Sequence, residues 1–416
     1  MKYLLFVLMM WSVLPTHTQA QSYMGGQSAR TRAMNLVADG DNRLKLADLR
    51  GAIFSYTNAI QIDPSYADAY MKRAIAYTRM RQDTEAMADY NYAIQLNPHL
   101  HYLYDERAKL KMLLFDYVGA ITDIDRSLQL NPQNLSLADQ KAEAKAAMED
   151  YQGAIQEYTT LITANSDDTI SLLNRALLYL QTNELNAAFA DIERALAVNP
   201  QMAMAYNVKG IALLKQTEYQ KAIAAFTTAL ILEPDMSIAY FNRGTAYKLD
   251  GNTTLAELDF TKSLAVNNNL PHAYFNRAVL RKSLGDYEGA IEDYNKVLEL
   301  NAGFADDALF NRGITKKMQG DYNGALADAN AWIAQNPDNP EGYKIRGNVQ
   351  LLFGSYKKAV EDYNYAIRLA PDAQSYYNRG IAKIMSYRLQ EGCEDLQRSI
   401  DLGAKDATEK HTFFCR

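Results

Sequence analysis

Seven prolines close short apolar runs at Pro64, Pro98, Pro132, Pro200, Pro234, Pro337 and Pro371, and their intervals are 34, 34, 68, 34, 103 and 34 residues. Since 68 is two periods and 103 is three periods plus one, the chain is built on a repeat of 34 residues. A second marker keeps the same step: Ala52, Ala86, Ala120, Ala154, Ala188, Ala222, Ala256, Ala290, Ala325, Ala359 and then Gly392. The units begin near residues 33, 67, 101, 135, 169, 203, 237, 271, 306, 340 and 373, which makes eleven copies, with one residue inserted near Gly303 and one deleted near Ala373. A chain of 416 residues exceeds what one compact core usually serves, and without long Pro/Gly/Ser linkers a repeat array is the economical solution.

Each unit reads as two helices, because apolar residues recur at three- and four-residue spacing on both sides of a polar break. Gly285-Asp286-Tyr287 and Gly320-Asp321-Tyr322 show that break. The proline follows the second helix and ends the unit, since it cannot continue the hydrogen-bond ladder. Small residues stand where two helices must approach closely: Gly244 with Ala256, Ala278 with Ala290, Gly313 with Ala325. Aromatics such as Tyr240, Tyr247 and Phe260, matched by Tyr274 and Tyr294 in the next copy, fill the spaces between them.

With small residues at the eighth and twentieth places, aromatics at the fourth and twenty-fourth and proline at the thirty-second, the sequence resembles the tetratricopeptide repeat (TPR) family from residue 33 to about 405. The resemblance implies an all-α, right-handed superhelical solenoid of antiparallel helix pairs, with the first helix of each pair lining a concave groove that recognises other proteins. Residues 33–404 are then the array and 405–416 a capping helix.

One departure from the commonest family pattern is systematic. The seventh place, often a packing Leu, is usually Arg here, and sixteen residues later stands an Asp: Arg73/Asp89, Arg107/Asp123, Arg175/Asp191, Arg243/Asp259, Arg277/Asp293, Arg312/Asp328, Arg346/Asp362 and Arg379/Asp395. One copy has Lys141/Glu157, and two lose the pair, Asp39/Ser55 and Lys209/Ala225. Positions that change together within one chain point to contact across the helix hairpin. The planar guanidinium fork suits bidentate pairing in a partly buried setting, and the alternative is two rows facing water. Either way the charges are structural.

Nothing resembles a catalytic or cofactor site. His99 and His101 are two apart beside Pro98, so they do not share a helix face as metal ligands do. No phosphate loop or nucleophile elbow is present, and eleven repeats leave no length for a catalytic domain. A net charge of −6 gives no support for nucleic-acid binding. Lys2, the apolar run from Tyr3 to Leu14 and then Thr18-Gln19-Ala20 read as a secretory signal over residues 1–20, followed by a flexible tail at 21–32 containing Gly25-Gly26. That run is too short to cross a bilayer comfortably, so the expectation is an exported protein, periplasmic or secreted, without a transmembrane segment. In such a compartment Cys393 and Cys415, placed symmetrically about the helix stop at Leu402-Gly403, are expected to form a disulfide that fastens the terminal helix, the alternative being two buried thiols.

The groove-facing places implied by the family can be read in this chain. Three consecutive units repeat one pattern, Phe241-Asn242 with Lys248, Phe275-Asn276 with Lys282, and Phe310-Asn311 with Lys317, and Asn174 and Tyr377-Asn378 extend it in part. An Asn amide both donates and accepts, so a row of them suits the backbone of an extended polypeptide whatever its sequence. For the phenylalanines, packing between repeats is the competing explanation. Val208 and Ile345 interrupt the asparagine row, and Asp105, Glu106, Asp139 and Glu143 make the N-terminal groove acidic, suited to a basic or different partner. The resulting expectation is a non-enzymatic scaffold or adaptor that needs no cofactor and holds proteins through extended segments. A chaperone-like holder of exported chains, a regulatory subunit of an exported enzyme and a glycan- or lipid-binding solenoid are the alternatives.

Overall fold

The computed structural model describes residues 28–134 and 136–415. The secretory signal expected at residues 1–20 and the tail at 21–27 lie outside the described residues. Among those described are 23 helices and no strand. They run as eleven helix pairs, from Ala29–Lys45 with Leu49–Ile62 to Ala373–Met385 with Leu389–Asp401, followed by the single helix Lys405–Phe414.

The punctuation of the sequence explains these bounds. Leu49–Ile62 stops two residues before Pro64 and Tyr117–Leu130 two before Pro132. The intervening Asp63 and Asn131 have left the helical region (φ −135°, ψ 88° and φ −140°, ψ 85°), as the residue before a proline must. At the other break, Asp48, Asp116, Asp150, Asp286 and Asp321 cap the second helices by accepting from the N–H groups of Gly51, Gly119, Gly153, Gly289 and Gly324. A Cβ at Gly289 would lie 2.3 Å from the Asp286 Oδ2, so this cap as built requires glycine three residues on.

Small and large residues interlock as their spacing suggests. Ala74, Ala86, Ala278 and Ala290 are wholly buried at the helix crossings, while Tyr56, Tyr90, Phe226, Phe260, Tyr294 and Tyr363 are the largest of the fully buried side chains. The first helix opens at Ala29, ahead of the expected unit start. The hydroxyl of Ser28 accepts from the Thr31 N–H at 3.2 Å and starts the helix early, so residues 29–32 are helical rather than tail.

The array divides into two compact units, residues 1–198 and 199–416. The described part of the first holds pairs one to five and the second holds pairs six to eleven with the terminal helix. Within the second unit the first helices touch one another in a row: Ala203–Lys215 with Ser237–Leu249, Pro271–Leu284 with Ala305–Gln319, and then Pro340–Leu352 with both Ala305–Gln319 and Ala373–Met385.

Candidate functional site

The Arg/Asp rows are the frame on which the first-helix face is held. In all eight copies Nε of the arginine donates to one carboxylate oxygen and Nη2 to the other, as in Arg277 with Asp293 at 2.9 and 2.6 Å and Arg243 with Asp259 at 2.7 and 2.9 Å. The carboxylates are buried: Asp293 retains 2 % of its surface. Both rows therefore turn away from solvent.

The third guanidinium nitrogen does something the sequence reading did not anticipate. Nη1 reaches the second helix of the preceding pair and donates to a small polar side chain there: Thr57, Asn91, Thr159, Thr227, Thr261, Asn295, Asn330 or Asn364. Each arginine thus ties its own hairpin together and also fastens it to the one before. Lys141 keeps both links with different chemistry, pairing with Glu157 at 3.2 Å and with Asp125 at 2.8 Å. Several carboxylates gain a second cation from one turn further along the first helix, among them Lys111 on Asp123, Arg281 on Asp293, Lys316 on Asp328 and Lys383 on Asp395. A polar residue at the twenty-fifth place of the units was the available signal. In the first pair Ser55 donates to Asp39 at 2.5 Å, a hydrogen bond where the ion pair is lost.

On the row of first helices in the second unit, the candidate residues meet in an unexpected way. Lys248 Nζ donates to Asn276 Oδ1 at 2.9 Å, and Lys282 Nζ to Asn311 Oδ1 at 2.8 Å. The same amides donate backwards to the carbonyls of His272 and Asp307, each at 2.9 Å. The lysines and asparagines thus form rungs between successive helices, with one amide N–H of each Asn276 and Asn311 unspent among the described residues. Burial pushes the Lys282 ammonium below its ordinary pKa. Asn242 donates to Asn207 at 2.9 Å, and Asn378 donates to Asn348 at 2.9 Å, which also accepts from the Tyr363 hydroxyl at 2.7 Å. Lys317 would reach the place held by Ile345, which offers no acceptor, and its side chain has no hydrogen bond or ion pair among the described residues.

The phenylalanines are half-buried and packed. Phe241 lies 5.7 Å from Phe260, Phe275 5.8 Å from Tyr294 and 5.5 Å from Phe304, and Phe310 5.2 Å from Trp332, all ring centre to ring centre. Most of each ring serves the joint between helices, which leaves an edge for a ligand rather than a face. Tyr377 borders a separate hollow with Gln374, Leu402, Lys405 and Asp406.

In the first unit, Asp105 is buried and accepts from Asn134 at 3.4 Å, with its Oδ1 unpartnered, whereas Glu106 pairs with Lys109 at 2.6 Å. Burial, and then the charge of Asp139, raise the Glu143 pKa. At the C-terminus Cys393 and Cys415 are joined by a disulfide, with Cα atoms 5.7 Å apart, which ties Leu389–Asp401 to the residue that ends Lys405–Phe414. No group of three or more His, Cys, Asp or Glu among the described residues is placed to hold a metal ion. No described helix is long and apolar enough to cross a membrane.

These features define an all-α helical-repeat protein. Family models described as tetratricopeptide repeat match residues 67–100, 140–203, 184–226, 207–271, 271–304 and 310–374, together more than half of the chain. The chain belongs to the tetratricopeptide repeat family, whose members generally bind other proteins. No protein of curated function matches it in sequence. Among solved structures, a tetratricopeptide repeat protein from Parabacteroides merdae is 22% identical, with a TM-score of 0.42, over 60% of this chain and 99% of that one. PilW, described as a type IV pilus biogenesis factor, is 22% identical with a TM-score of 0.45 over 50% of this chain and 96% of its own. Pseudomonas aeruginosa pilF is 20% identical with a TM-score of 0.44 over 50% and 94%.

Proposed function

We propose that this chain is an exported, non-enzymatic scaffold that holds partner polypeptides in extended form against the first helices of pairs seven to nine. The observation that carries the reading is the pair of rungs Lys248–Asn276 and Lys282–Asn311, continued by the unpartnered Lys317. Each rung fixes an amide so that its remaining N–H has one orientation, and a fixed donor binds a backbone carbonyl at a smaller entropic cost than a free rotor. Neighbouring helices pack ~8–10 Å apart and an extended chain advances about 3.3 Å per residue, so a ligand would meet one rung roughly every third residue. The ammonium groups add a preference for acidic side chains without specifying the rest. The apolar leader at the N-terminus supports a periplasmic or secreted site of action.

Binding of a panel of unrelated peptides to the protein and to its Asn276→Ala/Asn311→Ala variant tests this. Loss of the two amides should weaken most peptides alike, by roughly tenfold if each site loses about one hydrogen bond's worth of about 0.5–1.5 kcal/mol, with helical content retained. A panel bound equally well by both forms would remove this face from consideration. Binding with no sequence preference at all would favour a chaperone-like holder over an adaptor.

A further inference from the structure

At the turn edge of the last two pairs, away from the first-helix rungs, the chain has a feature that neither packing nor the reading above uses. A hollow of about 500 Å³ lies between the turn of pair ten, Gly354–Lys358, and the turn of pair eleven, Met385–Tyr387. Its size falls in the range of sites that take a small ligand or a few side chains. A second hollow of about 320 Å³ adjoins it, sharing Ser355 and Lys358 and reaching Phe353 and Gln350.

The rim is apolar where a turn in water would be polar. Phe353 is 52% exposed, Met385 46% and Tyr387 98%. Tyr387 also sits at φ 64°, in the left-handed region, where the four turns before it carry Gly251, Gly285, Gly320 and Gly354 and the first six carry Ala47, Arg81, Phe115, Glu149, Asn183 and Thr217. A tyrosine there costs more than glycine and, almost fully exposed, gains nothing from packing in return.

The floor is cationic and unspent. Lys357 and Lys358 are exposed, and neither side chain has a hydrogen bond or ion pair among the described residues. The comparable Lys221 in pair six is paired with Glu218, the residue that precedes its helix, but in pair ten that place is the neutral Ser355. The hollow therefore presents two cations without partners among the described residues and an aromatic rim.

We propose that this edge is a second docking site, and that its occupant is a short segment of a partner protein combining acidic residues with an aromatic or large apolar one. The carboxylates meet Lys357 and Lys358, and the apolar side chain lies in the hollow against Met385 and Tyr387. A concave site of this volume suits a side chain better than the flat face of a membrane.

The test uses the purified full-length chain and two fluorescein-labelled peptides of equal length, one alternating Asp or Glu with Phe and Leu, the other with Lys in place of every acid. The acidic peptide should bind saturably and the basic one should not. Lys357→Glu/Lys358→Glu should weaken the acidic peptide by about tenfold or more and reduce its salt dependence. Tyr387→Gly, which suits the backbone there and leaves the charge unchanged, should weaken it several-fold and guards against misfolding of the charge variant. Because the first-helix face should also hold this peptide, the edge substitutions are repeated in the Asn276→Ala/Asn311→Ala background, where they should cause the same fold-loss, so the edge and the first-helix face succeed or fail separately. Undiminished binding by the lysine variant overturns the proposal. So does binding of the chain to vesicles of phosphatidylglycerol and phosphatidylcholine without binding of the peptide, which would assign the edge to a lipid surface.

Discussion

At the residue scale the most informative position is the repeated arginine. A buried carboxylate is costly unless charge and hydrogen bonds meet it, and here two bonds from one planar fork do so in every copy. The remaining Nη1 explains why lysine so rarely replaces it: an ammonium cannot present a bidentate face to one helix and a separate donor to the next with the same fixed geometry. Where lysine keeps the pair, at Lys141, the neighbour becomes the carboxylate Asp125 at 2.8 Å, a charge in place of a hydroxyl or amide. Asp293 is met by both Arg277 and Arg281; Arg281 also pairs with Glu257, so Asp293→Ala strands the partly buried Arg277 and should destabilise by about 3–5 kcal/mol in denaturant unfolding. Arg277→Ala leaves Asp293 with Arg281 and should cost less. A double-mutant cycle between Arg277 and Asp293 should give a clearly favourable coupling energy, and a value within error of zero would return the pair to the status of a surface contact.

At the scale of elements, the helix ends were legible because they depend on local chemistry. A proline two residues beyond a helix and an aspartate three before a glycine fix termini whatever the neighbours do, and the structure places both as the spacing suggests. The ties between pairs were not legible in the same way. Thr227 and Asn330 look like ordinary solvent-facing residues of a second helix, and only the approach of the following hairpin turns them into acceptors for Arg243 and Arg346. The rungs between the candidate residues were not legible for the same reason: Lys248 and Lys282 lie 28 and 29 residues before Asn276 and Asn311, on another element. The last element has a neighbour on one side only, and the Cys393–Cys415 bond closes it over a separation of 22 residues, worth ~3 kcal/mol on chain-entropy grounds. Reduction should accordingly raise amide exchange in Lys405–Phe414 before any other helix responds, and intact mass should rise by about 2 Da as the bond opens. Exchange in that helix that is indifferent to reductant would mean that packing through Ala407 alone secures it.

At the scale of the whole molecule, charge is distributed unevenly between two units that are each compact. The first helices of pairs three and four carry Asp105, Glu106, Asp139 and Glu143, and those of pairs seven to nine carry Lys248, Lys282 and Lys317. A net charge of −6 conceals this contrast. In the second unit the lysines act in two capacities, since Lys248 and Lys282 orient amides while Lys317 has no such duty. Lys317→Glu alone should therefore change which peptides bind, disfavouring acidic ones, with stability unaltered within about 0.5 kcal/mol as for most surface changes. Replacing all three by Glu should also release Asn276 and Asn311, so the uniform loss seen with the asparagine variant should be added to the altered preference. The preference should fade as salt rises from about 0.05 to 0.5 M, where the Debye length falls to a few ångströms, while the uniform loss should persist because a hydrogen bond to backbone is little screened. Measuring peptide affinity across that salt range for the parent, the Lys317 variant and the triple variant separates the two contributions. If the triple variant keeps the parent's selectivity at low salt, the lysines serve only to hold the amides and the choice of partner is made elsewhere.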